Sequence, residues 1–216
     1  MKSIIFDLDG TLLDTLRDLA NAVNHALKKN GMPERSIDEV RQFVGNGVRK
    51  LMERAVPDGI ADDAFDAVFR DFRTYYSEHS LDYTKPYEGI ADALRTLKQS
   101  GLRMAIVSNK MEEATEALRQ HFFADTIETA IGDAPERRRK PAPDGVFEAM
   151  RRLGVTADEC VYVGDSDVDY LTARNAAVPC ISVLWGFRDR TLLESLGATN
   201  FCETPQELPQ AVRSLG

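Results

Sequence analysis

Past Pro86 the chain alternates between short apolar runs and longer stretches with apolar residues at helical spacing, and this alternation limits the possible folds more than any other feature. Residues 102–107, 126–131, 160–163 and 180–184 read as buried strands, and helices are expected over 89–99, 112–121, 143–153 and 167–176. Strands separated by helices pair in parallel, because the helix supplies the crossover that a parallel partner needs. The apolar run Ser3-Ile4-Ile5-Phe6 reads as a further strand of the same sheet, and a weak strand over 199–202 and a helix over 205–215 close the chain.

Between that first strand and Pro86 the pattern is helical throughout. Leu16, Leu19, Ala20, Val23 and Leu27 fall at helical spacing before Gly31 and Pro33. Ser36-Ile37-Asp38-Glu39 has capping-box spacing, Gly45-Asn46-Gly47 interrupts, and helices follow over 48–56 and 61–79. The expected fold is therefore α/β: a doubly wound, Rossmann-like parallel sheet over 1–14 and 86–216, carrying an inserted α-helical cap over 15–85.

Composition narrows the function. With 35 acidic against 27 basic residues and a net charge of −8, the chain is a poor candidate for nucleic acid or anionic membrane, both of which are bound chiefly by Lys and Arg. Cys160, Cys180 and Cys202 are too few and too scattered for a disulfide framework and read as small core residues. No window approaches the ~20 apolar residues of a membrane span. A cytoplasmic monomer or homodimer acting on a small molecule is the expectation.

Ligands of an open α/β sheet bind beyond the carboxyl ends of the strands. Four polar clusters stand at such ends or in the adjoining loop: Asp7-Leu8-Asp9-Gly10-Thr11, Ser108-Asn109-Lys110, Lys140-Pro141 and Gly164-Asp165-Ser166-Asp167-Val168-Asp169. Clustered carboxylates repel one another, and a hard divalent cation such as Mg²⁺ offsets that repulsion, with Asp7 and Asp165 as its carboxylate candidates. A carboxylate can also attack phosphorus, splitting a difficult hydrolysis into two easier steps. Such an attack needs positive charge and oriented donors, which Lys140, the Ser108 hydroxyl and backbone N–H groups near Leu8, Asp9 and Asn109 can supply. Two residues along an extended segment, Asp9 points to the same side as Asp7, where it can serve as general acid and then general base. The run Arg137-Arg138-Arg139 beside Lys140 is expected to gather positive field around the site, with Lys140 alone touching phosphate.

In order and spacing these clusters resemble the four motifs of the haloacid dehalogenase superfamily, over the whole chain, and the insertion matches the subclass whose helical cap follows the first motif. The resemblance implies a Mg²⁺-dependent phosphatase with a phosphoaspartyl intermediate. It makes Asp7 nucleophile and metal ligand, Asp9 the acid/base and a ligand through its backbone carbonyl, and Asp165 a metal ligand. Thr11 would support the nucleophile turn, Asp169 would partner metal-bound water or Lys140, and Ser108, Asn109 and Lys140 would hold the phosphoryl group. Within the superfamily the chain is most similar to phosphoglycolate phosphatases, through Phe43-Val44-Gly45-Asn46-Gly47, Val107-Ser108-Asn109-Lys110 and Trp185-Gly186. Gly47 and Arg49 are the cap candidates for substrate contact. The same fold also supports pyrophosphatases, sugar-phosphate phosphatases and mutases, and a non-catalytic phospho-acceptor module groups similar residues around one aspartate.

Overall fold

The computed structural model describes residues 1–215. Strand β1 (Ser3–Phe6) is apolar and wholly buried, as befits a central parallel strand covered on both faces. A two-residue strand β2 (Leu13–Asp14) follows, and the chain then leaves the sheet for helices α1 (Leu16–Lys29), α2 (Ile37–Phe43), α3 (Val48–Ala55) and α4 (Asp62–His79). It returns through strand β3 (Lys85–Pro86), which pairs with β2 in a two-stranded sheet. The chain forms two compact units, Asp14–Lys85 and the remainder.

The helical unit has its own core. Leu19, Val23 and Leu27 from α1 pack with Val40, Leu51, Met52, Val68 and Phe72. Ser36 caps α2 in the box anticipated from sequence: its hydroxyl accepts from the Glu39 amide at 3.2 Å and the Glu39 carboxylate accepts from the Ser36 amide at 2.8 Å. A cap of this kind contributes ~1 kcal/mol. Asp18 is the buried charge of this unit, accepting from the Tyr83 amide and from the amide and hydroxyl of Thr84.

The other unit alternates regularly: α5 (Ile90–Gln99), β4 (Arg103–Met111), α6 (Glu112–Phe123), β5 (Thr129–Asp133), α7 (Asp144–Leu153), β6 (Cys160–Gly164), α8 (Asp167–Asn175), β7 (Cys180–Val183), α9 (Arg190–Ser195), β8 (Phe201–Cys202) and α10 (Leu208–Arg213). Its six-stranded sheet runs β5-β4-β1-β6-β7-β8, all pairings parallel. Phe6 stands level with Ile106 on one side and Val163 on the other, so the segments that follow β1, β4 and β6 emerge together at one sheet edge. The order turns back on itself around β1, which places the crevice of a doubly wound sheet at this strand.

Several elements differ from the sequence reading. Strand β5 begins at Thr129 instead of 126 because the Thr126 and Ile127 amides bond back to the Phe123 carbonyl, finishing α6. Strand β4 continues to Met111, after a register shift beyond Val107, so Ser108 and Asn109 lie within it and not past its end. Helix α9 was not anticipated, and the closing helix starts at Leu208 after a 3-10 turn over Pro205–Glu207. Among the described residues no helix is long and apolar enough to cross a membrane.

Candidate active site

The Asp7 amide bonds to the Val163 carbonyl at 2.9 Å, extending β1 by one residue before the chain winds up. The Leu8 carbonyl then accepts from the amides of Thr11, Leu12 and Leu13, and the Gly10 amide bonds to the Leu13 carbonyl at 2.9 Å. Asp9 therefore lies in a wound turn and not on a straight continuation of the strand. Gly10 has φ +91°, and a Cβ there would stand 2.5 Å from Asp165 Oδ2, so both backbone conformation and space demand glycine. Asp9 is met by Lys110, whose Nζ lies 3.4 Å from Asp9 Oδ1.

Lys140 is held at both ends. Asn109 grips its backbone, Nδ2 donating to the Lys140 carbonyl at 3.1 Å and Oδ1 accepting from the Lys140 amide at 2.8 Å. Its buried ammonium donates to Asp7 Oδ1 and Asp169 Oδ1, each at 2.7 Å, and to the Tyr162 hydroxyl at 3.2 Å. Asp169 is held in turn by Ser166, which caps α8: Asp169 Oδ2 accepts from the Ser166 hydroxyl at 2.6 Å and its amide at 3.1 Å. The turn into α8 is thus both a helix cap and a site wall.

Asp165 is fully buried and fixed from two sides, Oδ1 accepting from the Thr11 hydroxyl at 2.9 Å and Oδ2 from the Phe187 amide at 2.8 Å. The Thr11 side chain therefore supports Asp165, where the sequence reading gave it to the nucleophile turn. A Cβ on Gly186 would fall 2.3 Å from Asp165 Cβ, and the Trp185 indole donates to the Thr11 carbonyl at 3.0 Å, so the loop after β7 closes over this carboxylate.

The electrostatics follow from burial. Burial raises the Asp7 pKa well above the carboxylate range, with the charges of Asp169 and Asp165 adding to it against the opposing pull of Lys140. Burial and Asp169 likewise push Asp165 up to about 7. Burial also works on Asp169, but the ion pair with Lys140 and the bonds from Ser166 outweigh it and hold this carboxyl below its ordinary value. Burial alone would depress Lys140, and Asp169 and Asp7 overcome it and raise the ammonium pKa. One ammonium faces three carboxylates whose oxygens lie within 4.8 Å of one another. That surplus of negative charge, on hard oxygen donors, fits a divalent cation. Both oxygens of Asp169 are engaged by Lys140, Tyr162 and Ser166, and both of Asp165 by Thr11 and Phe187, while Asp7 meets Lys140 through Oδ1.

The sheet edge thus assembles Asp7, Thr11, Asn109, Lys140, Asp165 and Asp169. Ser108 is buried, its hydroxyl accepting from the Lys110 amide at 3.2 Å, beside a narrow cleft that Asn109, Gly132 and Lys140 also line. The arginines of the run line the same cleft, each beside an acid: Arg137 pairs with Glu112, Arg138 with Asp144 at 2.7 Å and Arg139 with Asp133 at 2.6 Å. In the helical unit Gly47, at φ +83°, precedes α3, and Arg49 pairs with Glu53 at 3.3 Å while its guanidinium lies 4.9 Å over the Phe65 ring. Two contacts escaped the sequence reading, Tyr162 with Lys140 and the Phe187 amide with Asp165, and Lys110, named there only within its cluster, is the neighbour of Asp9. The string Gly164-Asp165 two residues after Tyr162 was the available signal for the first; none marked the second.

Residues 4–183 match the family model described as haloacid dehalogenase-like hydrolase. A phosphoglycolate phosphatase of Aquifex aeolicus (strain VF5) is 34% identical over 87% of this chain and 86% of its own, and one of Pseudomonas putida (strain KT2440) is 36% identical over 86% and 70%. The crystal structure of a candidate phosphoglycolate phosphatase from Lactobacillus delbrueckii subsp. bulgaricus superposes with a TM-score of 0.93 at 35% identity, covering 98% of each chain.

Proposed function

Because the chain belongs to the haloacid dehalogenase-like hydrolase family, we propose that it is a Mg²⁺-dependent phosphatase of small phosphomonoesters, with phosphoglycolate the first substrate to test, working through a phosphoaspartyl intermediate at Asp7. The observation that carries the reading is the placement of Asp7, a buried carboxylate 2.7 Å from the Lys140 ammonium at the end of the central strand. Asp7 and Asp165, with the Asp9 backbone carbonyl, would hold the cation, which when bound neutralises the surplus negative charge and polarises the phosphoryl oxygens.

An Asp7 carboxylate oxygen attacks phosphorus, and the bond from phosphorus to the ester oxygen breaks as Asp9 gives that oxygen its proton. Asp9, now a carboxylate, then takes a proton from water. The water oxygen bonds to phosphorus, the Asp7 acyl phosphate opens, and inorganic phosphate leaves with Asp7 restored. Lys140 and Ser108 bind the phosphoryl oxygens, Asn109 holds Lys140 in place, and Thr11 and Asp169 keep Asp165 and Lys140 from moving. We assign substrate selection to the helical unit as a cap, with Gly47 and Arg49 as contacts.

A phosphate-release screen over phosphoglycolate, pyrophosphate, sugar phosphates and an aryl phosphate, with Mg²⁺ and with chelator, tests the class and ranks the substrates. Rapid acid quench with labelled substrate should capture the label on Asp7, and none in Asp7→Asn. Label that persists for hours without turnover would instead mark a phospho-acceptor.

A further inference from the structure

The Lys140 ammonium carries three protons, and the structure gives them three acceptors: Asp7 Oδ1, Asp169 Oδ1 and the Tyr162 hydroxyl. Tyr162 lies on β6, wholly buried, and its own proton goes to Asp169 Oδ1 at 3.1 Å, leaving an oxygen lone pair for the ammonium. Ammonium, Asp169 and phenol make a closed triangle beneath the site. The side chain of Asp169 is 0% exposed while that of Asp7 retains 11%, so the proton given to Asp7 is the one on the side that solvent reaches.

We infer that Tyr162 is a positioning residue for the reaction: together with Asp169 it fixes the Lys140 ammonium so that its third proton faces the Asp7 carboxylate. This rests on the proposed role of Lys140 at the phosphoryl group. Once Asp7 is esterified its negative charge is gone, and that proton passes to a phosphoryl oxygen without the ammonium turning. Without the phenol the ammonium is held by Asp169 and Asp7 alone, one fixed point fewer, and no atom that touches substrate has been removed.

Tyr162→Phe keeps the ring and deletes the hydroxyl. The kcat should fall about ten-fold, the loss of one hydrogen bond to a charged group, while KM stays within about two-fold. Inhibition by orthovanadate, which mimics the phosphoryl group in transfer, should weaken in step with kcat, and inhibition by inorganic phosphate should hardly change. In a Lys140→Ala background the same substitution should cost nothing further. An unchanged kcat, or the full loss repeated in that background, overturns the inference. Full turnover in Lys140→Ala overturns the reading of Lys140 and this inference with it. Should Tyr162→Phe fail to fold, 3-fluorotyrosine at position 162, a weaker acceptor of the same shape, should lower kcat, and an unaltered kcat there is equally decisive against it.

Discussion

The carboxylate cluster at the end of β1 and the Arg49 cluster of the helical unit treat charge in opposite ways. In the sheet unit Asp7, Lys140, Asp165 and Asp169 are all buried, and partners fix each of them. In the helical unit Arg49, Glu53 and Asp66 meet on the surface, with Arg49 53% exposed. Exposed pairs of that kind contribute little to stability and hold no fixed geometry, since water competes for every bond. Buried ones hold position at the cost of desolvation, and leaving one partner uncompensated is severe. Chemistry common to a whole family needs the first arrangement, and recognition that differs between members can use the second.

The largest test of this contrast is Asp9→Asn, which should cut turnover by ~10²–10⁴ while Mg²⁺ still binds, as loss of a general acid does. Isothermal titration with Mg²⁺ beside a turnover assay reads both, and undiminished turnover would remove Asp9 from its role. Next is Gly186→Ala. Its methyl would stand 2.3 Å from Asp165 Cβ, so the loop or the carboxylate must shift, with an expected loss of ~1–3 kcal/mol and weaker Mg²⁺ affinity. A variant as stable as the parent, with the same affinity, would show that the wall around Asp165 yields.

A smaller effect sets pH against metal. Asp165 is raised to about 7, so the folded chain keeps a proton that the unfolded chain gives up. The stability this confers is complete below about pH 4 and is lost as pH rises through about 7. Asp7 acts in the same direction, whereas Asp169, held low, contributes stability above the usual carboxylate range that is lost as pH falls. A cation binds the ionised forms of Asp7 and Asp165. The rise in melting temperature on replacing chelator with Mg²⁺ should therefore be larger at pH 8 than at pH 5.5, and an equal rise at both would contradict the assigned ligands. The smallest effect is Arg49→Ala, which should alter stability by less than about 0.5 kcal/mol, in keeping with an exposed pair, and change KM more than kcat. A loss of kcat as large as that of Asp9→Asn would erase the distinction between the units.

What the sequence disclosed follows the same division. Strand–helix alternation revealed the parallel sheet, because burial on both faces leaves uninterrupted apolar runs such as Ser3–Phe6. The polar clusters at the strand ends pointed to Asp7, Lys140, Asp165 and Asp169, which the fold brings together, because charge gathered where buried strands end is costly to the fold and stands out in the sequence. The details that failed are set by long-range pairing. The end of β4 depends on its partner strand, and the winding at Leu8 on three amides that converge on one carbonyl. Tyr162 reads as one more apolar residue of a buried strand until its hydroxyl is seen 3.2 Å from Lys140. In the helical unit no periodicity or motif distinguishes a substrate contact from a solvated face.

The paired strands β2 and β3 hold the two ends of the helical segment side by side. An excursion whose ends already meet adds little closure entropy as it lengthens, and such sites accept whole inserted domains. The pairings that set the register of β1, β4 and β6 lie wholly outside that excursion. The helical segment is therefore a cassette: descent can lengthen it, replace it or redesign its surface, and a lineage can acquire a new substrate without reinventing how phosphorus is attacked.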